Sequence, residues 1–128
     1  SRSKIIKVII MNEFGNAYIE KVWCNSVRTP KPLKVIPYKK DFKVFFSVRG
    51  TEIGRITIGV FVDDILDQML TTNILEKNKS LAIWFWYPYK RKQMGKHVIQ
   101  FKIGEATDRT VDSVTWKYTS DKYIVEVK

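Results

Sequence analysis

The sequence holds one cysteine, Cys24. No intrachain disulfide can form, and nothing argues for an oxidising compartment. It holds one histidine, His97, and no Cys-x-x-Cys or His-Glu-x-x-His spacing, so no metal centre and no cofactor are expected. The six glycines are dispersed; without a glycine-rich phosphate loop, nucleotide binding of the P-loop kind is excluded. No apolar run approaches the roughly 20 residues of a membrane-spanning helix. Residues 1–11 are basic and apolar but alternate, and lack the small-residue cleavage site of a signal peptide. These absences predict a soluble, cytoplasmic, non-catalytic chain. A Cys24–His97 dyad has no supporting motif. Cys24 reads as a small buried residue and His97 as a surface residue at a strand start. Asp63 and Asp64 read as turn chemistry in preference to a catalytic or calcium role.

Acidic residues are also in deficit: 13 against 23 basic ones, for a formal net charge of +10. Such an excess suits anionic partners. It equally suits a solubilising lysine surface, and the scatter of Lys4, Lys7, Lys21, Lys31 and Lys34 favours that plainer reading. Short basic clusters occur only at Lys39-Lys40 and Lys90-Arg91-Lys92.

What the sequence does have is a period of two. Residues 4–11, 17–24, 42–48, 55–62, 66–73, 80–87, 96–103, 111–118 and 123–127 all read as short strands with turn residues between them. A helical turn across residues 64–69 competes with the strand at 66–73. The three prolines between residues 28 and 37 bar that stretch from a central strand and predict a loop or an edge strap. Residues 119–121 are expected to turn a closing hairpin. One domain over residues 1–128 follows, an all-β antiparallel sandwich of eight to nine strands, jelly-roll or immunoglobulin-like. Opening on a strand suits a piece of a longer protein.

Aromatic residues make up 13% of the chain, so rings must fill either the core or a working surface. In residues 80–87, Leu81, Ile83 and Phe85 alternate with Ala82, Trp84 and Trp86. If the aliphatic set faces the core, both indoles point outward and form a platform for a sugar ring or a nucleobase; the alternative is a thick core holding both. Polar positions opposite other aliphatic sets are Arg55 and Thr57, Ser47 beside Phe45, and Gln100 with Lys102. Should their strands share a sheet with Trp84 and Trp86, the result is a shallow aromatic groove rimmed by hydrogen-bonding groups. The same aromatic face could instead be buried in a twofold dimer.

The order of features resembles the C-terminal carbohydrate-binding domain of Wzt-type proteins, the ATPase subunits of ABC transporters that export O-antigen polysaccharides. The resemblance rests on the strand and turn at residues 5–15, the entry at residues 38–46, and the strand, acidic turn and return at residues 56–64 and 70–73. It continues through Met94-Gly95-Lys96-His97 with its following strand, and the closing strand at residues 123–127. Met94 and His97 stand where that family has Pro and Tyr. The resemblance implies a homodimeric sandwich that binds a lipopolysaccharide O-antigen glycan before transport. It also implies an ATPase domain upstream, contact with a transmembrane permease subunit through the full-length protein, and a place at the cytoplasmic side of the inner membrane. The expected ligand-binding set is Trp84, Trp86, Arg55, Thr57, Phe45, Gln100 and Lys102. A nucleic-acid-binding β-domain, less favoured because the lysines are scattered, and a purely structural dimerisation module are the other two readings.

Overall fold

A computed structural model describes residues 14–106 and 113–128. The strand expected at residues 4–11 lies outside them, as do residues 107–112 of the expected loop and strand start.

Among the described residues, ten strands form two sheets. One sheet contains β1 (Asn16–Cys24), β2 (Lys31–Pro32), β4 (Lys43–Glu52) and β7 (Ser80–Trp86), in the order β2-β1-β4-β7. The other contains β3 (Val35–Ile36), β5 (Thr57–Val62), β6 (Ile65–Thr71), β8 (Gly95–Ala106), β9 (Val114–Thr119) and β10 (Tyr123–Val127), in the order β3-β10-β8-β5-β6 with β9 also on β8. Strands β1, β4 and β7 thus face β5, β8 and the β9–β10 line, the partition of an immunoglobulin-like sandwich.

Alternation builds the core. Val44, Phe46 and Val48 of β4, Ile58, Val60 and Val62 of β5, and Ile99, Phe101 and Ile103 of β8 are all fully buried. Phe46 and Phe101 meet across the sandwich with ring centroids 4.6 Å apart. Each such side chain contributes about 1.5–3 kcal/mol through removal from water. The alternation weakens toward the start of β7, where Phe85 is buried, Ile83 half-buried and Leu81 exposed.

The proline-rich stretch is a strap. Its first half, β2, pairs with β1, and its second half, β3, runs parallel to β10 in the opposite sheet. The chain therefore crosses between sheets at one side of the sandwich. Pro32 sits on an edge, where a missing N–H costs no ladder bond.

Residues 63 and 64 form a two-residue hairpin between β5 and β6, with φ of 52° and 66° and Val62 paired to Ile65. Both central residues take positive φ, as a type I′ turn requires, and aspartate tolerates it. The return is a strand throughout, not a helical turn, with an irregularity between Val60 and Phe61 that leaves Asp67 as the extra residue.

The expected closing hairpin is not formed. Strands β9 and β10 both run antiparallel to β8, β9 along its second half and β10 along its first. They are two parts of one interrupted strand. Ser120 bridges the break: its N–H donates to the Phe101 carbonyl at 2.8 Å, and its Oγ accepts the Phe101 N–H at 2.9 Å. A serine hydroxyl thus stands in for a backbone carbonyl, and the ladder continues where a turn was expected.

Candidate functional site

The outer face of the β2-β1-β4-β7 sheet carries a ladder of rungs fixed by register. Tyr18, Arg49 and Ser80 form the first; Lys21, Ser47 and Ala82 the second; Trp23, Phe45 and Trp84 the third; Lys43 and Trp86 the last. The third rung is aromatic across three adjacent strands. Trp23 stacks on Phe45 at 6.0 Å with an interplanar angle of 17°. Trp84 meets Trp86 edge-on at 5.5 Å.

Both indoles of β7 point out of the sandwich and are 45% and 49% exposed. Phe45, between them and Trp23, is almost covered. The Lys43 ammonium lies 4.4 Å from the Trp84 ring centroid and 5.3 Å from that of Trp86. The Lys21 ammonium lies 5.7 Å from the Trp23 ring. These cations are attracted to the negative faces of the rings.

Beside the rings lies a concavity of about 330 Å³, lined among others by Glu20, Trp23, Pro30, Ser47 and Ala82. Ser47 is only 5% exposed, and its Oγ has no hydrogen-bond partner. A buried hydroxyl without a partner carries a desolvation cost. At the rim, Arg49 donates to Ser80 Oγ at 3.3 Å and faces Glu20 at 4.0 Å. The Trp23 indole N–H donates to the Ser26 carbonyl at 3.0 Å.

The expected ligand-binding set is divided by the fold. Trp84, Trp86 and Phe45 share this face. Thr57, Gln100 and Lys102 belong to β5 and β8 and so lie in the opposite sheet, and Arg55 lies in the segment that enters β5. One groove cannot gather both groups. Three of the four are engaged elsewhere, and the fourth is buried. Arg55 lies over the Phe14 ring at 5.5 Å. Thr57 is buried. Gln100 donates to the Ser120 carbonyl at 2.9 Å. Lys102 covers the Phe61 ring at 4.8 Å. On that second face Trp116 meets Phe61 edge-on at 5.8 Å and packs over Gly59.

Lys21, Trp23 and Lys43 were not singled out from the sequence. A bulge at Glu20 explains the first two. The register steps from Ile19↔Val48 to Lys21↔Ser47, so Ile19 faces the core while Lys21 and Trp23 face out. One inserted residue reverses every later side chain. The signal was a lysine in step with Ala17 and Ile19, which no buried face accepts unpaired.

His97 is not a surface residue. It is 7% exposed. Its Nδ1 lies 2.5 Å from Asp63 Oδ2, and its Nε2 lies 2.5 Å from the Gln93 carbonyl. Near the start of β8, reaching back four residues, it does what the corner tyrosine does in immunoglobulin sandwiches. Burial pushes the imidazole down, but the Asp63 hydrogen bond, the Gln93 carbonyl and the Asp63 charge outweigh it, and His97 titrates above its ordinary range. Burial pushes Asp63 up, but the bonds from His97 and the Val98 N–H hold its carboxyl below the usual value. Cys24 is half-buried, and burial raises its thiol against the lowering effect of Lys31. Among the described residues, no three His, Cys, Asp or Glu side chains come together in a way that could hold a metal ion. No helix among them is long and apolar enough to cross a membrane.

With this geometry in view, comparison with known proteins gives a likeness of fold. The chain is similar to a CARDB domain from Pyrococcus furiosus, solved in complex with di-metal ions. The TM-score is 0.59 at 14% identity, covering 92% of each chain. A β-glucosidase from Listeria innocua, solved in complex with glucose, matches with a TM-score of 0.50 at 15% identity; the match covers 89% of this chain and 17% of that one. No family model and no curated protein matches the sequence.

Proposed function

We propose that this chain is a non-catalytic glycan-binding domain, with the sugar chain lying across the outer face of the β2-β1-β4-β7 sheet. The observation that carries the reading is the exposed indole pair of Trp84 and Trp86, continuous with Phe45 and Trp23 across three strands. Exposed ring faces can lie against sugar C–H faces, and Lys21, Lys43 and Arg49 supply neighbouring polar groups. Arg55, Thr57, Gln100 and Lys102 have no part in it. The finer proposal, an O-antigen polysaccharide recognised on the cytoplasmic side before export by an ABC transporter, rests on the sequence resemblance alone.

The test is titration of tryptophan fluorescence with O-polysaccharide and with a panel of neutral glycans. Saturable change is expected, with affinity falling at least tenfold in the Trp84→Ala/Trp86→Ala double variant and unchanged in Lys102→Gln. An unchanged spectrum with every glycan overturns the reading. Salt-sensitive retention of single-stranded nucleic acid on the same rings, with no glycan response, transfers the face to base stacking.

A further inference from the structure

Past the last rung of the ladder the chain closes a second pocket. Phe42 accepts the Tyr87 N–H at 2.8 Å, which ties together the two segments flanking that rung. Residues 38–40 precede one side. On the other, the short 3-10 turn Tyr89–Arg91 follows Trp86 and leads into Lys92 and Gln93. Between them lies a cavity of about 370 Å³ lined by Tyr38, Lys39, Tyr89, Lys92 and Gln93. That volume falls in the range of small-molecule sites, about 300–1,000 Å³.

Lys92 is the informative residue. Only 6% of it is exposed. Its ammonium donates to the Lys40 carbonyl, which binds the two walls together. Among the described residues no carboxylate pairs with it. The nearby Arg91 is already matched to Asp67 at 3.5 Å. A buried ammonium has three donors and a full charge; one neutral carbonyl satisfies one donor and neutralises nothing. Lys39 adds a second positive charge, and Tyr38, Tyr89 and Gln93 add groups that can donate hydrogen bonds. No acidic residue lines the cavity.

We propose that this pocket is an oxyanion subsite, in which Lys92 is the principal counter-charge for a carboxylate or phosphate. Its Tyr89–Arg91 wall follows directly in the chain on the strand that bears Trp86, so the ligand it suits is an acidic glycan whose anionic substituent enters the pocket while neutral rings lie on the indoles. Only the second half of that statement rests on the glycan reading; capture of the oxyanion does not.

The test is amide chemical-shift titration of the full chain with sodium phosphate and, separately, sodium glucuronate, against sodium chloride at matched ionic strength. Saturable shifts confined to residues 38–41 and 89–93 are expected with at least one anion. The tighter of the two names the substituent. Lys92→Met should weaken binding at least tenfold, and Lys39→Gln, at the exposed rim and harmless to folding, severalfold. The Trp84→Ala/Trp86→Ala double variant should bind the anions as the wild type does. Shifts that do not saturate, spread over surface lysines generally, or survive in both Lys92→Met and Lys39→Gln overturn the subsite. Anion binding without any glycan response sinks only the glycan reading; glycan binding with no anion response sinks only this one.

Discussion

Asp63 and His97, 34 positions apart in sequence, meet at 2.5 Å where the β5–β6 turn packs against the start of β8. The same carboxylate accepts the Val98 N–H at 3.0 Å through its other oxygen. The pair therefore fastens a turn of φ-positive aspartates to the neighbouring strand.

The contribution of this pair to stability should have two limits in pH. His97 has its folded pKa raised above 6.5, so its share is complete below that value and is lost as pH rises through the folded pKa. Asp63 has its folded pKa lowered below 3.8, so its share is complete above that value and is lost as pH falls. Urea denaturation from pH 3 to 9 should show the plateau between these limits. His97→Gln should flatten the alkaline limb and cost about 1–3 kcal/mol at pH 5.

Neighbouring positions on β7 should separate stability from binding. Phe85 is buried against Phe46 and Phe101, so Phe85→Ala should cost about 3–5 kcal/mol. Trp84→Ala should cost about 1 kcal/mol, since its ring is half in water and its partners are the Lys43 ammonium and the half-exposed Trp86 ring. Denaturant midpoints measured side by side decide this; equal losses would show the indole acting as core.

Ser120→Ala should destabilise by about 1–3 kcal/mol. It removes the acceptor of the Phe101 N–H in the middle of a buried strand. Hydrogen exchange at that amide should quicken by more than at Ile99 or Ile103.

Gly59→Ala tests the second outer face. A Cβ there meets the Trp116 ring at 2.6 Å and the Phe61 ring at 2.9 Å. Overpacking of this kind costs about 1–3 kcal/mol. Thermal denaturation should register it, and Trp116→Leu in the same chain should recover part of the loss.

Residues 80–87 show what sequence alone can convey. Alternation set Phe85 and the two indoles on opposite faces but left open a thick core holding both rings; the structure turns Phe85 inward and both indoles outward. Asp63 and Asp64 were legible as a turn because their backbone preference is local. Sheet membership was not legible. Thr57 and Lys102 alternate just as Phe45 and Trp84 do, and nothing in a strand's own period names the sheet it joins. The end of the chain misled for a related reason: Thr119-Ser120-Asp121 has turn composition, but β8 is long enough to pair with both flanking strands and pulls them into line. His97 was misplaced because its partner is distant in sequence. Burial of a polar ring becomes intelligible only once that partner is known.

The strap has a consequence for how the sandwich breathes. It laces one flank, binding β1 on one sheet and β10 on the other. The opposite flank, between β6 and β7, is held by the Gln68 amide on the Trp86 carbonyl and by Arg91 on Asp67, beside an apolar cleft of about 490 Å³. The two sheets are thus hinged like a book, with its spine at the prolines and its clasp at Gln68. Local opening is expected to start at the clasp, with β7, which bears the indoles, as the page that turns first.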